Sequence, residues 1–262
     1  MIGAEALVRR LKVDTYFTVP GRFTIPLNVS LSKVGARRVM IPDERCAGHA
    51  ADGYARVSGR PAGLVVSAGP GALNATLPVA TALRDHVPMV VIVGDVPTRS
   101  KGSLAVEEVD LMKVFEPLCK DSIYVDSGEG IAQALDVAES SVQPPKGPVF
   151  LDFPLDVQER EVELSEQPKE VDSRKSVEGL EREVSEVVKF LEASKRPLVL
   201  VGNGCVEVHE AVAAFAEAYD IPVAYTLMGW CAAWPKPSVS IGFCGIRGFR
   251  TCLLYTSPSP RD

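Results

Sequence analysis

Short apolar runs rich in β-branched residues alternate along this chain with stretches of helical length. Residues 13–19 (VDTYFTV), 37–41 (RRVMI), 62–67 (AGLVVS), 88–94 (PMVVIVG), 122–125 (SIYV) and 147–153 (GPVFLDF) read as strands. Runs that are apolar throughout, without in-and-out alternation, suit strands covered on both faces. Strand and helix alternating at this spacing predict an α/β fold. The expected form is a doubly wound, mostly parallel sheet with helices on both faces, spanning residues 1–157.

The pattern changes abruptly after that. Residues 158–176 (QEREVELSEQPKEVDSRKS) are almost all charged or polar and are expected to form a linker. Beyond them Val177, Leu180, Val184, Val187, Val188 and Leu191 share one helical face, with Ser176 as candidate N-cap. Pro197 ends that helix. "PLVLVGNG" then begins a strand, and "HEAVAAFAEAYDIPVAYTLMG" supplies a further helix and strand. Residues 177–251 therefore read as the N-terminal part of a second α/β domain. Residues 252–262 (CLLYTSPSPRD) continue neither period and resemble translated adaptor sequence, so they are expected to be non-native.

Composition narrows the function without naming it. A net charge of -6 argues against a nucleic-acid binder, which would carry a basic face. No run approaches the length of a membrane span, and the N-terminus lacks the layout of a signal peptide, so a cytoplasmic location is expected. The six cysteines include no C-x-x-C pair, and the three histidines are widely separated, so neither zinc nor a disulfide framework is indicated.

Three strand ends carry candidate chemistry. Val19-Pro20-Gly21 follows the first strand, Glu44 the second, and the turn from Ser67 to Gly71 the third. In a doubly wound sheet, ligands bind beyond the carboxyl ends of the strands, so these segments share one rim. Glu44 alone reads equally as a first-turn acid complementing the helix dipole. The Gly69-Pro70-Gly71 turn, with Asp95 further on, mimics a dinucleotide fingerprint. Asn74 stands where that fingerprint wants a small residue, and Pro70 removes an N–H that phosphate would use. A tight βα turn and a small-molecule cofactor loop remain open beside the nucleotide reading.

"DERCAGHAADGYARVSGRPAGLVVSAGPGALN…RDHVPMVVIVGDVP" resembles the pyrimidine-binding N-terminal domain of thiamine-diphosphate enzymes. The branch it is most similar to is that of acetolactate synthase, with benzaldehyde lyase and oxalyl-CoA decarboxylase types as neighbours. "RPLVLVGNG" and "IPVAYTLMG" resemble the start of that family's central domain.

The resemblance implies thiamine diphosphate and Mg2+ as cofactors, FAD in some members, and a 2-oxo acid substrate. The implied reaction is decarboxylation, with ligation or release of the aldehyde. Glu44 is implied to hydrogen-bond the pyrimidine N1′, a task suited to a carboxyl with a raised pKa. Val19, Pro20 and Gly21 are implied to line the pyrimidine pocket, with Ser67, Gly69, Pro70 and Asn74 as its other wall. Tyr54 and Arg56 are expected to be structural.

Two departures stand out. Asp43 occupies a position where the branch carries His, and Val106-Glu107 replaces Phe-Gln on the substrate side. Glu107 there would repel an incoming 2-oxo acid, select a different acceptor, or simply face water. The family's Gly-Asp-Gly…Asn magnesium motif is absent from these residues, which by themselves are expected to be inactive. A homodimer or tetramer is implied for the whole protein. The competing readings are an NAD-dependent oxidoreductase using the Gly69–Gly71 loop with Asp95, and a non-catalytic dimerising domain.

Overall fold

The computed structural model of the chain describes residues 1–163, 180–233, 236–245 and 248. They fall into two compact units, Met1–Glu170 and Val171–Asp262. In the first, α1 (Gly3–Arg10) leads to β1 (Thr15–Thr18), and a 3-10 turn at Arg22–Thr24 opens α2 (Ile25–Lys33). β2 (Arg37–Met40), α3 (Glu44–Ser58), β3 (Ala62–Ser67), α4 (Pro70–Asn74), α5 (Thr76–Arg84) and β4 (Met89–Asp95) follow. After a loop come α6 (Leu111–Phe115), β5 (Asp121–Tyr124), α7 (Gly128–Ser140), β6 (Pro148–Pro154) and α8 (Leu155–Glu159). The six strands are parallel and lie in the order β2-β1-β3-β4-β6-β5.

The expected α/β class follows from how the strands are covered. β3, β4 and β6 are the apolar runs, and their side chains alternate between two cores. Leu64, Val66, Val91, Val93 and Phe150 face one side, packed with α3, α5 and α6. Val65, Val90, Ile92, Leu151 and Phe153 face the other, packed with α1, α2 and α7. Phe115 stacks flat on Phe150 at 4.4 Å and seats α6 on the sheet. Each such side chain contributes about 1.5–3 kcal/mol on burial. The two edge strands are the exceptions: β2 leaves Arg37, Arg38 and Met40 exposed, and β5 leaves Asp121 exposed.

The polar run expected to form a linker begins inside the fold. Gln158 is fully buried, and its Nε2 donates to the carbonyls of Phe23 (2.8 Å) and Phe153 (2.6 Å). Gly3 N donates to Arg160 O, and Val162 N donates to Met1 O, both at 2.9 Å. Residues 158–162 thus close onto the N-terminus of the first unit. A glutamine that satisfies two buried carbonyls looks like any linker polar residue until its partners are known. The remainder of that stretch from residue 164, together with Ser176 and Val177, lies outside the described residues, as do residues 252–262.

The second unit contains α9 (Leu180–Ala193), β7 (Val199–Val201), α10 (His209–Ala218), β8 (Val223–Tyr225) and β9 (Ser240–Phe243). Its strands are parallel in the order β7-β8-β9, around Val201, Ala216, Val223 and Tyr225. "GNG" at 202–204 leads into a 3-10 turn at Asn203–Val208. Among the described residues no helix is long and apolar enough to cross a membrane.

Two glycines separate packing from propensity. A Cβ on Gly94 would lie 2.0 Å from the Phe23 carbonyl oxygen, so Gly94→Ala must push the Arg22–Thr24 turn off β4. Gly53, inside α3, has nothing within 4 Å of such a Cβ. Urea unfolding of the chain is expected to show Gly94→Ala losing about 1–3 kcal/mol, and Gly53→Ala gaining about 0.5–1 kcal/mol.

Candidate active site

The sheet reverses its direction of growth between β1 and β3, since β2 lies on one side of β1 and β3 on the other. Loops leaving the carboxyl ends of two such strands diverge to opposite faces and open a crevice. Here those loops are Val19-Pro20-Gly21 and the turn that follows Ser67. They approach so closely that a Cβ on Gly21 would lie 2.5 Å from the Ser67 Cβ. The Ser67 hydroxyl is buried there without a hydrogen-bond partner. Gly69 turns the chain at φ 62°, a conformation that only glycine adopts readily, and Pro70 then opens α4.

Glu44 enters from the neighbouring strand end, as the first residue of α3. Asp43 caps that helix, its Oδ1 accepting from Cys46 N at 2.9 Å, which holds the Asp43 carboxyl below its ordinary pKa. The departure at residue 43 therefore has a local structural role. Glu44 is half-buried. Its Oε2 accepts from Asn74 Nδ2 at 3.1 Å. A Cβ on residue 71 would stand 3.0 Å from its Oε1, so Gly71 is what keeps that oxygen open. Gly71 is a site feature that its place in a glycine turn did not distinguish.

The rest of α3 is fixed firmly to the sheet and to α5. Ala47, Ala51 and Ala55 are buried against the sheet, and Gly48 lets α3 approach α5 so closely that a Cβ would meet Pro78 at 2.3 Å. Arg56 pairs with Asp52 at 2.9 Å and with Asp85 beyond α5 at 2.7 Å. Tyr54 donates from its hydroxyl to Asp14 Oδ1 at 2.9 Å. Both residues of "ADGYAR" thus lock the helix body and touch nothing at the rim.

On the far side of the Gly69 turn, the loop between β4 and α6 places Glu107 against it. A Cβ on Gly69 would meet the Glu107 carbonyl oxygen at 2.7 Å. Glu107 has φ 69° and an exposed side chain. Val19 and Ser67 are half-buried and Pro20, Pro70 and Asn74 are exposed, so these residues form an open rim. A depression of about 280 Å³ lies beside Pro20 and Gly21, lined also by Ile25, Asn28 and Arg38, but it includes neither Glu44 nor the Gly69 turn.

Asp95 behaves unlike the acid of a dinucleotide site. It is fully buried, its Oδ1 accepts from Val96 N at 2.7 Å, and its Oδ2 pairs with Lys101. A carboxylate so engaged has no free lone pairs directed at a ribose. Asp152 on β6 lies beside it, equally buried, with Lys101 at 3.7 Å. Burial, and next the Asp95 charge, push Asp152 up to about 8, and Lys101 only partly offsets this. This ionic cluster escaped the sequence reading. Its one signal was an aspartate inside the apolar run at 147–153.

Residues 1–114 match the family described as "Thiamine pyrophosphate enzyme, N-terminal TPP binding domain", and residues 184–253 match "Thiamine pyrophosphate enzyme, central domain". The chain belongs to the thiamine pyrophosphate enzymes. Its relatives include an acetolactate synthase large subunit from Parasynechococcus marenigrum, 35% identical over 263 residues, covering 94% of this chain and 42% of that protein. The large subunit from Corynebacterium glutamicum is 35% identical over 257 residues, covering 95% and 41%. A chloroplastic acetolactate synthase from Arabidopsis thaliana is 32% identical over 257 residues, covering 94% and 38%. The chain thus spans about two fifths of the length of these relatives.

Two substitutions test the electrostatics of this unit. Because the Ser67 hydroxyl is desolvated without a partner, Ser67→Ala is expected to raise stability in urea by about 1 kcal/mol. A loss would mean that the hydroxyl is satisfied. Asp152 has a folded pKa above its unfolded value, so the folded chain binds the extra proton between the two. The associated stability is present below the unfolded pKa and is lost as pH rises through about 8. Melting temperature is expected to fall less steeply from about pH 5 to pH 8 in Asp152→Asn than in the parent chain.

Proposed function

We propose that the chain provides the pyrimidine-binding half of the active site of an acetolactate-synthase-like enzyme. That enzyme decarboxylates a 2-oxo acid and then ligates or releases the aldehyde. The observation that carries this reading is the Glu44 carboxylate at the switch point, one oxygen held by Asn74 and the other kept open by Gly71. The donor set fits the cofactor. A pyrimidine ring nitrogen needs one carboxyl group among small and apolar residues, and the Ser67 hydroxyl, next to Gly21, is buried without a partner.

Val19, Pro20 and Gly21 form one wall, and Ser67, Gly69, Pro70 and Asn74 the other. Thiamine diphosphate, when bound, supplies a nucleophilic carbon and an electron sink for loss of carbon dioxide. Glu44 holds or releases a proton at Oε1, while Asn74 fixes the orientation of its carboxyl plane. Glu107, seated on Gly69, stands on the side from which substrate approaches and tunes which acids are accepted.

By likeness to the family, Mg2+ and the diphosphate are assigned to other residues of the complete protein. The rim is open, and Ile25, Leu73 and Leu77 are exposed beside it. An open half-site with an apolar surround suits closure by a second subunit, in a cytoplasmic homodimer or tetramer of the complete protein.

In the complete protein, Glu44→Gln is expected to lower carbon dioxide release from 2-oxo acids by about 10²–10⁴-fold, with an unchanged circular dichroism spectrum. Near-parental release by the folded variant would overturn the proposal.

A further inference from the structure

The loop that carries Glu107 is poorly anchored by its own backbone. Gly102, Leu104 and Glu107 all have positive φ, and Leu104 and Val106 project into solvent. Glu108 gathers the loop onto itself, accepting from Gly102 N and, at 2.9 Å, from Ala105 N. Those bonds hold the loop together but do not hold it to the sheet. Thr98 ties its start to α8, through bonds of 2.9 and 2.6 Å to Asp156. Ala105 and Val109 pack against the core, and among the described residues between Thr98 and α6 the side chain that pairs with buried groups of the sheet is Lys101.

That tie is built into the sheet. The Lys101 ammonium pairs with Asp95 at the end of β4, lies 3.7 Å from Asp152 on β6, and sits 5.3 Å from the centre of the Tyr124 ring on β5. One side chain thereby meets three strands. Both aspartates are fully buried, whereas three quarters of the Lys101 side chain is covered. Burial opposes the Lys101 charge, but hydrogen bonding to Asp95 and the charges of Asp152, Asp95 and Glu108 outweigh it and leave its pKa raised. Buried carboxylates without a cation would be strongly unfavourable, so the lysine cannot leave without a substitute.

We propose that Lys101 is a positioning residue that pins the loop between β4 and α6 to Asp95 and Asp152, and so keeps Glu107 seated on Gly69. Its catalytic consequence rests on the reading of Glu107 given above; its structural consequence does not. With the pin in place, the backbone of Glu107 closes against the cofactor-side turn, and its side chain is delivered to one place at the rim. Without it the loop, seated on the core only through Ala105 and Val109, opens more often, and its internal bonds break as it opens.

The test compares Lys101→Met with Arg99→Met, which removes an exposed cation from the same loop. Amide hydrogen exchange at Gly102, Ser103, Ala105 and Glu108 in this chain is expected to accelerate about tenfold or more in Lys101→Met and to stay unchanged in Arg99→Met. If Lys101→Met does not fold, Asp95→Asn, which keeps the shape of the aspartate, is expected to give the same acceleration. Unchanged exchange in the folded variant overturns the proposal.

In the complete enzyme, Lys101→Met is expected to shift the ratio of kcat/KM between two 2-oxo acids of different size. The shift is expected to vanish when Glu107→Gln is also present. An equal shift in both backgrounds means that Lys101 does not act through Glu107, and overturns that part. Absence of any 2-oxo acid turnover by the parent enzyme would instead overturn the functional reading, and amide exchange would still decide the loop proposal.

Discussion

The contact on which the site depends is the approach of the Gly21 backbone to the Ser67 side chain, at the point where the sheet reverses its strand order. Parallel strands send their connections over the two faces of a sheet, and only at such a reversal do neighbouring loops part. The candidate site residues are arranged around that parting. One loop is held down on β4 through the closeness of Gly94 to the Phe23 carbonyl, and the other turns on Gly69 into α4. The crevice is narrow because no side chain stands at 21 or 71. The Ser67 hydroxyl beside Gly21 is buried without a partner.

Glu44 is placed by packing more than by its immediate neighbours. The helix it opens has a stripe of alanine and glycine, so it lies close to both β3 and α5. A helix that close cannot slide without colliding with Pro78 or losing the Arg56 pairs to Asp52 and Asp85. Rigid seating of the helix body becomes precision at its first residue. The same geometry explains why Asp43 serves at the position before it: an N-cap acceptor is what the start of α3 requires locally.

The loop facing the Gly69 turn is maintained by charge as well as by close packing. Two aspartates in adjacent strands would repel each other in a dry interior. Lys101, together with the raised pKa of Asp152, makes the arrangement tolerable. This occupation also removes Asp95 from any role as a ribose acceptor, which separates the chain from the dinucleotide folds that its glycine turn mimics. A cation held for electrostatic reasons at the root of a loop has a mechanical effect at its tip, where Glu107 meets Gly69.

The amino-acid sequence by itself determined the α/β class, the six strands of the first unit to within one or two residues at each end, and the rim on which Val19, Glu44 and Ser67 lie. Those follow from local properties: unbroken apolar runs demand cover on both faces, and the direction of a parallel sheet puts all carboxyl ends on one side. Only the tertiary structure decided which rim residues meet. Strand order set Gly21 against Ser67, and the turn at Gly69 brought Asn74 back to Glu44, 30 positions away. Burial of Gln158 and the union of Asp95, Lys101 and Asp152 were equally invisible beforehand. A polar side chain looks the same in a linker as in a core, and its meaning depends on partners that only folding supplies.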